Sequence, residues 1–354
     1  MKNKLVVIIG ARPQFIKHFP LEKEMVKEFE VITVHTGQHY DSNMSQVFFD
    51  QLGMRKPNYL LEVGSGTHGL QTAKMIIEIE KICVEEQPQA MVVYGDTNST
   101  LAGALVASKL HIPVVHVEAG LRSYNKKMPE EVNRIITDHV SQLLLVPSIS
   151  AQENLHTEGI RDGVHVVGDI MKDLVKFVKD ENLSIKPKAI DPYIYVTLHR
   201  PYNVDDETRL LKILNAINSL NRKVVFAAHP RTVNRINEFK IEESEFANID
   251  LIPPQGYLEN FGLLENCEVL ITDSGGMQKE AYWLKTKCIT IRSETEWIET
   301  LDSNANTLLF DDFSILEHIV NDSAISWDNS LYGNGQTANQ IVNLILNKLD
   351  KTDV

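Results

Sequence analysis

Short apolar runs rich in β-branched residues recur along the whole chain, and longer stretches with helical periodicity separate them. The runs are continuously apolar, which is typical of strands that helices cover on both faces of a sheet. Strands are therefore predicted in the first half over 5–9, 31–35, 90–94, 114–117, 143–146 and 164–167. In the second half they are predicted over 193–198, 223–228, 249–252, 269–272, 288–291 and 306–310. This alternation indicates an α/β fold with doubly wound parallel sheets.

The chain length and one interruption of the strand pattern indicate two domains. With 354 residues, the chain is longer than one ordinary compact domain. Residues 179–192 are polar and contain prolines, as is typical of a linker. Ligands of doubly wound sheets bind outside the carboxyl ends of the strands, so we expect the site in the cleft between the domains.

Helical patterns fill the stretches between the strands. Clear examples lie over 70–86 and 100–110, and the chain ends in an amphipathic helix over 337–349. The apolar residues on one side of this last helix are Ile341, Val342, Leu344, Ile345 and Leu349.

Composition and charge argue against several classes of protein. The net charge of −13 opposes binding to the phosphate backbone of nucleic acid. The three cysteines, Cys83, Cys267 and Cys288, lie in apolar stretches without zinc-ligand spacing, so reduced thiols are expected. The apolar run after Lys4 is too short for a signal peptide, and no segment reaches transmembrane length. We therefore expect a soluble, cytoplasmic protein with no membrane or nucleic-acid partner.

Two cations follow the first predicted strand, within the segment GARPQFIK over 10–17. A phosphate-loop interpretation fails, because the second glycine is absent and no Ser or Thr follows the lysine. Arg12 lies on a tight turn, where an arginine that faces a cleft can bind an anion through two hydrogen bonds. Lys17 is open to two interpretations, a ligand contact or a solvated helix residue.

Carboxylates follow the third and fourth predicted strands. Taken alone, Asp96 is better interpreted as a helix N-cap than as a group that projects into a cleft. Glu118 directly follows an apolar strand, where a carboxylate is costly unless it is paired or has a function. A salt bridge with Arg122 and a catalytic role are equally good interpretations of Glu118. Glu130 and Glu131 follow a proline and also suit the first turn of a helix, through the helix dipole.

Two histidines, His199 and His229, follow successive predicted strands of the second half, and this repetition favours a function. No His, Cys or carboxylate combination shows metal-ligand spacing. The chain also lacks a Gly-x-Ser-x-Gly elbow, and no Gly-x-Gly-x-x-Gly follows its first strand. Serine hydrolases and dinucleotide-dependent dehydrogenases are therefore disfavoured.

The strongest local signal is the segment TDSGGMQKE over 272–280, which runs from a strand through small residues into a helix. Small residues let a ligand approach closely, and the free N–H groups at a helix start suit a diphosphate. Glu280, on the first turns of that helix, is placed to bind a pair of ribose hydroxyls. A glycine-rich turn without a ligand is the less favoured interpretation.

With these residues in view, the chain resembles the non-hydrolysing UDP-N-acetylglucosamine 2-epimerase family over nearly its whole length. The resemblance runs in order through GARPQFIK, VHTGQHYD, YGDTNST, HVEAGLRS, MPEEVNR, VTLHR, HPRT, TDSGGMQKEA, TEW and LYGNGQ. It implies two Rossmann-like domains of GT-B type. The first would span 1–170 with a returning helix over 338–354, and the second, UDP-binding domain would span 171–337. A UDP-sugar substrate, a homodimer, and no metal or cofactor are also implied.

The resemblance assigns roles position by position. The family's catalytic carboxylates match Asp96, Glu118 and Glu130, and its catalytic histidine matches His199. Positions that match substrate-binding and UDP-binding residues of the family are Arg12, Lys17, Arg134, His229, Ser274, Gly275, Gly276, Glu280 and Arg292.

The family's chemistry implies elimination of UDP to a 2-acetamidoglucal and its re-addition, which interconverts UDP-GlcNAc and UDP-ManNAc for cell-surface polysaccharide synthesis. The chain departs from the usual pattern at 201–203, where Pro-Tyr-Asn replaces an acidic residue before Asn, and at Trp297, where Arg is usual. With Gln278 and Lys279, Trp297 is similar to the branch that acts on UDP-2,3-diacetamido-2,3-dideoxyglucuronic acid. This second substrate is the alternative, and a GT-B glycosyltransferase is the more distant one.

Overall fold

A computed structural model describes residues 2–38, 52–187 and 192–350, except for the side chains of Arg12 and Glu243. The chain forms two compact units. The first consists of Met1–Phe177 with Ser330–Val354, and the second is Val178–Asn329. The sequence predicts the second domain over 171–337.

Parallel strands form the sheet of the first unit. They are β1 (Lys4–Ile9), β2 (Glu30–His35), β3 (Tyr59–Leu60), β4 (Ala90–Tyr94), β5 (Val114–Val117), β6 (Leu143–Val146) and β7 (Val164–Val166). Their order in the sheet is β3-β2-β1-β4-β5-β6-β7, and all neighbours are parallel. All of them except β3 are predicted from the sequence. The two residues of β3 are too few to show any periodicity.

The helices of the first unit alternate with these strands. They are α1 (Arg12–Glu28), α2 (His68–Glu86), α3 (Asn98–Lys109), α4 (Pro129–Val140), α5 (Ile149–Thr157) and α6 (Ile170–Asp180). The predictions over 70–86 and 100–110 are confirmed by α2 and α3. Met75 and Ile79 of α2 are fully buried and belong to the same core cluster as Ile8 and Val93 of the sheet. The apolar stripe of α2 therefore covers one face of the sheet.

The second unit repeats the same plan. Its strands are β8 (Tyr193–Thr197), β9 (Lys223–Ala227), β10 (Ile249–Ile252), β11 (Val269–Thr272), β12 (Lys287–Thr290) and β13 (Asn306–Leu308). Its helices are α7 (Pro201–Val204), α8 (Glu207–Asn218), α9 (Pro230–Glu238), α10 (Tyr257–Asn266), α11 (Gly275–Leu284) and α12 (Leu316–Asn321). The sheet order is β10-β9-β8-β11-β12-β13, again with parallel neighbours.

The direction of winding reverses at one point in each sheet. In the first unit the reversal lies between β1 and β4, where Val7 is opposite Val92. In the second it lies between β8 and β11, where Thr197 is opposite Thr272. The segments that follow these strands meet at the carboxyl edge of each sheet, where doubly wound folds bind ligands.

The last helix, α13 (Thr337–Asp350), packs against α1 and confirms the amphipathic helix predicted over 337–349. Its first turn is capped from α6, because Asp173 accepts hydrogen bonds from the backbone N–H groups of Thr337 (3.1 Å) and Ala338 (2.8 Å). The Thr337 hydroxyl donates to the carbonyl of Val167 (3.0 Å). These buried bonds tie the end of the chain to the first unit.

Two smaller observations concern the cysteines and the helices. Cys83, Cys267 and Cys288 are free thiols, as the sequence predicts.

Among the described residues, no helix combines the length and the apolar character that crossing a membrane requires.

We expect Asp173→Ala to lower the free energy of unfolding by about 1–3 kcal/mol, because it leaves two buried N–H groups of α13 without an acceptor. Urea denaturation followed by circular dichroism measures the midpoint. Asp162→Ala, at an exposed position, is the matched control and should leave the midpoint unchanged. Equal midpoints for both variants would show that the cap does not stabilise the fold.

Candidate active site

The side chain of Gln14 stabilises the turn between β1 and α1 through hydrogen bonds. The Gln14 carbonyl oxygen accepts from the backbone N–H groups of Gly10 (2.8 Å) and Ala11 (3.0 Å), and its amide donates to the carbonyl of Tyr94 (2.9 Å). A Cβ at Gly10 would lie 2.1 Å from the hydroxyl of Thr36, so only glycine fits. The turn is therefore rigid and joined to the end of β4. The side chain of Arg12 lies outside the part that the structure describes.

Lys17 and Glu118 form an ion pair at this edge. The Lys17 ammonium donates to Glu118 Oε2, and the two side chains are 13% and 10% exposed. Burial alone would lower the pKa of Lys17, but the charges of Glu118, Asp169 and Asp96 outweigh it and raise this pKa above its usual value. Lys17 is thus a buried cation, and its interpretation as a solvated helix residue is wrong.

The predicted salt bridge between Glu118 and Arg122 is also wrong. Arg122 turns away to Asp138 (2.7 Å) and to Glu158 (2.7 Å), because two carboxylates there match the fork of its guanidinium. Glu118 lies on a tight turn with φ +67°, a left-handed conformation that is uncommon for a residue with a side chain. Backbone outliers of this kind cluster at functional sites.

Asp96 binds Arg134 and does not cap a helix. Arg134 donates to Asp96 Oδ2 from Nη2 (2.6 Å) and Nε (3.1 Å), while its Nη1 donates to Glu131 (2.8 Å). The N-cap of α3 is Thr97, whose hydroxyl accepts from the backbone N–H of Thr100. The interpretation of Asp96 as an N-cap is therefore wrong, because its neighbour supplies the capping oxygen. The Asp96 side chain remains 32% exposed and can reach a ligand.

The two glutamates of the first turn of α4 have different surroundings. Glu131 is buried and accepts from the backbone N–H groups of Ser123 (3.0 Å) and Tyr124 (2.8 Å), which makes it structural. The side chain of Glu130 is exposed and makes no hydrogen bond or ion pair within the described ranges. Its catalytic role stays a prediction.

In the second unit, His199 is oriented by Asp273. His199 Nδ1 lies 2.9 Å from Asp273 Oδ1, and Asp273 also accepts from the backbone N–H groups of His199 (3.1 Å) and Arg200 (2.9 Å). Burial would raise the pKa of Asp273, but the hydrogen bonds from His199, Asn203 and the backbone hold it below the usual range. An ionised Asp273 places a proton on Nδ1 of His199 and leaves Nε2 to act on a ligand. The ring of His229 lies 5.7 Å from that of His199.

Asp273 is the residue of this candidate site that the sequence reasoning did not single out. It is fully buried and follows β11, beside the end of β8 where His199 lies. A carboxylate directly after an apolar strand, next to a strand that ends in histidine, was the signal that could have identified it.

The glycine-bearing turn predicted to bind a diphosphate begins α11. Ser274 is its N-cap residue, and no side chain caps the helix. The first N–H groups of a helix have no partner inside the helix, so those of α11 are suited to bind an anion. A Cβ at Gly276 would meet no atom within 4 Å, and one at Gly275 would lie 3.7 Å from Arg292 Nη1. The turn is therefore open enough for a ligand.

Charged residues surround this turn. Arg292 binds Glu296 through both terminal nitrogens (3.1 and 3.0 Å) and is 8% exposed. The Lys279 ammonium lies 3.6 Å from the ring centroid of Trp297, and Lys279 is 2% exposed. Glu280 is 6% exposed. Lys279 and Trp297, which are similar to the branch that acts on the diacetamido-uronic acid nucleotide, thus form one cation–π contact.

The fold is of GT-B type, because the chain forms two Rossmann-like units whose sheets share one strand order. The first unit has ion-paired carboxylates after its strands, and the second has a glycine-bearing helix without a side-chain cap. These features define an enzyme with a GT-B fold. The sequence profile of the family described as UDP-N-acetylglucosamine 2-epimerase matches residues 22–346. The chain therefore belongs to the UDP-N-acetylglucosamine 2-epimerase family, whose members are isomerases.

Individual relatives agree. A Methanococcus maripaludis protein described as a UDP-N-acetylglucosamine 2-epimerase homolog is 45% identical over 97% of this chain and 99% of its own length. UDP-2,3-diacetamido-2,3-dideoxy-D-glucuronate 2-epimerase of Pseudomonas aeruginosa is 44% identical over 96% of this chain and 98% of its own. The structure of Methanocaldococcus jannaschii UDP-GlcNAc 2-epimerase in complex with UDP-GlcNAc and UDP matches with a TM-score of 0.86 and 41% identity, over 98% of this chain and 100% of that one. The predicted family and fold class are confirmed.

A double-mutant cycle tests the ion pair between Lys17 and Glu118. Lys17→Met and Glu118→Gln should each lower the urea midpoint, because each breaks a buried ion pair by removing one of its charges. The double variant should recover part of the loss, with a coupling free energy of about 0.5–3 kcal/mol. Strictly additive single effects would show that the pair does not contribute to stability.

Proposed function

We propose that this protein is a non-hydrolysing UDP-N-acetylglucosamine 2-epimerase that interconverts UDP-GlcNAc and UDP-ManNAc. The observation that carries the proposal is a pair of carboxylates, Asp96 and Glu118, at adjacent strand ends of the first unit, each paired with a cation. Epimerisation at C-2 needs one group to remove a proton and another to return one to the opposite face. Asp96 and Glu118 fit this requirement, and Glu130 is the third candidate.

The second unit supplies what the nucleotide requires. The N-terminus of α11, with Gly275 and Gly276, suits the diphosphate through its free N–H groups and its dipole. Glu280 fits the ribose hydroxyls. As UDP leaves C-1, negative charge grows on its phosphate oxygens, and His199, oriented by Asp273, is placed to stabilise that charge.

The proposed reaction is an elimination followed by an addition. One carboxylate takes the C-2 proton, and the bond from C-1 to the phosphate oxygen breaks with its electrons going to UDP, which gives UDP and 2-acetamidoglucal. UDP then adds back at C-1, and C-2 receives a proton on the opposite face. Lys17 and Arg134 hold Glu118 and Asp96 in place for these proton transfers, through the ion pair that each cation forms.

A second substrate is favoured by a specific observation. Lys279 and Trp297 form a buried cation–π contact beside the glycine turn, and Tyr202 stands where an acidic residue is usual. The Pseudomonas aeruginosa relative that acts on the diacetamido-uronic acid nucleotide is 44% identical. UDP-2,3-diacetamido-2,3-dideoxyglucuronic acid is therefore the alternative substrate of the same reaction.

The predicted homodimer is supported by one surface of α2. Leu70, Ile77 and Val84 recur at intervals of seven residues and are 55%, 52% and 63% exposed. An apolar stripe of this kind suits burial against a second copy of the chain. Multi-angle light scattering measures the mass of the assembly. The cytoplasmic location, the interdomain cleft and the role in polysaccharide synthesis stay predictions.

Chromatography of the nucleotide sugars tests the proposed function. The purified protein, given UDP-GlcNAc without an acceptor, should produce UDP-ManNAc up to a constant ratio. Stoichiometric release of UDP and free sugar would indicate a hydrolysing epimerase. Turnover only with an acceptor would indicate a glycosyltransferase, and turnover only of the diacetamido-uronic acid nucleotide would select the alternative substrate.

Asp96→Asn and Glu118→Gln should each abolish turnover, at least 100-fold in kcat, because an amide can neither accept nor return the proton. The Kd for UDP, measured by calorimetry, should stay within about threefold, since other residues bind the nucleotide. Glu153→Gln, on the exposed surface of α5, is the matched control. Near-wild-type turnover in either site variant refutes the role of that residue.

Gly275→Ala should weaken UDP binding by about tenfold, since the new methyl group lies where the diphosphate approaches the N–H groups of α11. Its nearest neighbours would be at 3.7 Å, an ordinary contact, so the melting temperature should not fall. Gly69→Ala, in the first turn of α2, meets nothing within 4 Å and serves as the control. Unchanged UDP affinity in Gly275→Ala would exclude this turn as the diphosphate site.

A further inference from the structure

A buried polar network binds the backbone beside Asp96 and Glu118, at Gly95 and Gly120. Its members are His116 on β5, Asp138 on α4, and Arg122 on the segment after β5. Their side chains are at most 1% exposed, so none of them can touch a substrate. Burial of three ionisable groups is unfavourable unless each is fully paired, and here each one is.

His116 joins two segments through its two ring nitrogens. Nε2 lies 2.8 Å from the carbonyl oxygen of Gly95, and Nδ1 lies 2.7 Å from Asp138 Oδ1. A carbonyl oxygen only accepts, so Nε2 carries a proton. Asp138 also accepts from Arg122 and is held as a carboxylate, because these partners outweigh burial and keep its pKa below the usual range. Nδ1 lies within hydrogen-bond distance of this carboxylate, so the ring contacts both neighbours at once.

One arm of the network reaches Asp96. Gly95, the residue before Asp96, has φ +62°, a left-handed backbone conformation that favours glycine. Its carbonyl accepts from His116, and its N–H donates to the carbonyl of Val117 (3.0 Å). Both peptide groups of Gly95 are thus tied to β5, and this fixes the direction in which Asp96 leaves the sheet.

The other arm reaches Glu118. Asp138 Oδ2 accepts from the backbone N–H of Gly120 (3.2 Å) and from Arg122 Nη1 (2.7 Å). Asp138 therefore binds residues on both sides of Glu118. His116 lies two positions before it, and Gly120 lies two positions after it. The left-handed backbone of Glu118 lies between these two anchors.

We propose that His116, Asp138 and Arg122 are positioning residues that hold Asp96 and Glu118 at a fixed separation for proton transfer at C-2. The proposal rests on the proposed function. Small displacements of catalytic groups reduce rates steeply, by about 100-fold for 1 Å, so a rigid link between two turns has a direct kinetic effect. A network that served only stability would affect activity only through the amount of folded protein.

Two substitutions of His116 separate the two possibilities. His116→Gln places an amide near Nε2 and keeps the bond to Gly95, whereas His116→Asn places an amide near Nδ1 and keeps the bond to Asp138. The bonds from Gly120 and Arg122 to Asp138 survive in both variants. Stability should therefore favour His116→Asn, which keeps the buried Asp138 paired, while catalysis should favour His116→Gln, which keeps the turn before Asp96.

The measurements are kcat and KM for UDP-GlcNAc, with thermal melting of each variant. We expect His116→Asn to lower kcat roughly tenfold or more with KM within about threefold, and His116→Gln to retain a kcat within about threefold of wild type. His18→Gln removes another buried histidine, which binds Tyr94 and Thr33 side chains, and should leave kcat unchanged.

The comparison of kcat between the two variants decides between a positioning role and a purely structural role. Activity that follows melting temperature, with His116→Asn the more active, would overturn the positioning role and leave a structural one. Equal, near-wild-type kcat in both would overturn it as well. Absence of turnover in the wild-type protein is a different result, because it contradicts the proposed function rather than the network.

Discussion

Parallel register brings the carboxyl ends of β1, β4 and β5 to one edge of the first sheet, and ion pairs hold that edge together. Lys17 reaches Glu118 from α1, and Arg134 reaches Asp96 from α4. A carboxylate after an apolar strand is stable only when a cation or several N–H groups pay for its desolvation. The same pairing fixes the positions of both carboxylates at the edge of the sheet.

The second sheet meets the same constraint differently. Asp273 is fully buried after β11, and it is stabilised by backbone N–H groups, by Asn203 and by the ring of His199. Its charge fixes the tautomer of His199 without a lysine or arginine. Each unit thus uses a buried carboxylate to fix its neighbours. In the first unit Asp138 binds the ring of His116 and the backbone N–H of Gly120, and in the second Asp273 binds the ring of His199.

Most strands were predictable, because a buried parallel strand must be continuously apolar and the runs are long enough to show it. The two residues of β3 carry no such pattern. Side-chain partners were less predictable, since Lys17 and Glu118 are 101 residues apart and only the register of the sheet brings them together. The prediction that Asp96 caps a helix was wrong because the next residue, Thr97, supplies the capping oxygen instead.

Proton NMR of the protein with UDP-GlcNAc in heavy water tests the central claim, that carboxylates at these strand ends exchange the C-2 proton. The account predicts UDP-ManNAc signals together with deuterium at C-2, without acceptor or added cofactor, and no exchange in Glu118→Gln. UDP-ManNAc that keeps its C-2 proton would contradict the account. So would the absence of exchange with both UDP-GlcNAc and the diacetamido-uronic acid nucleotide.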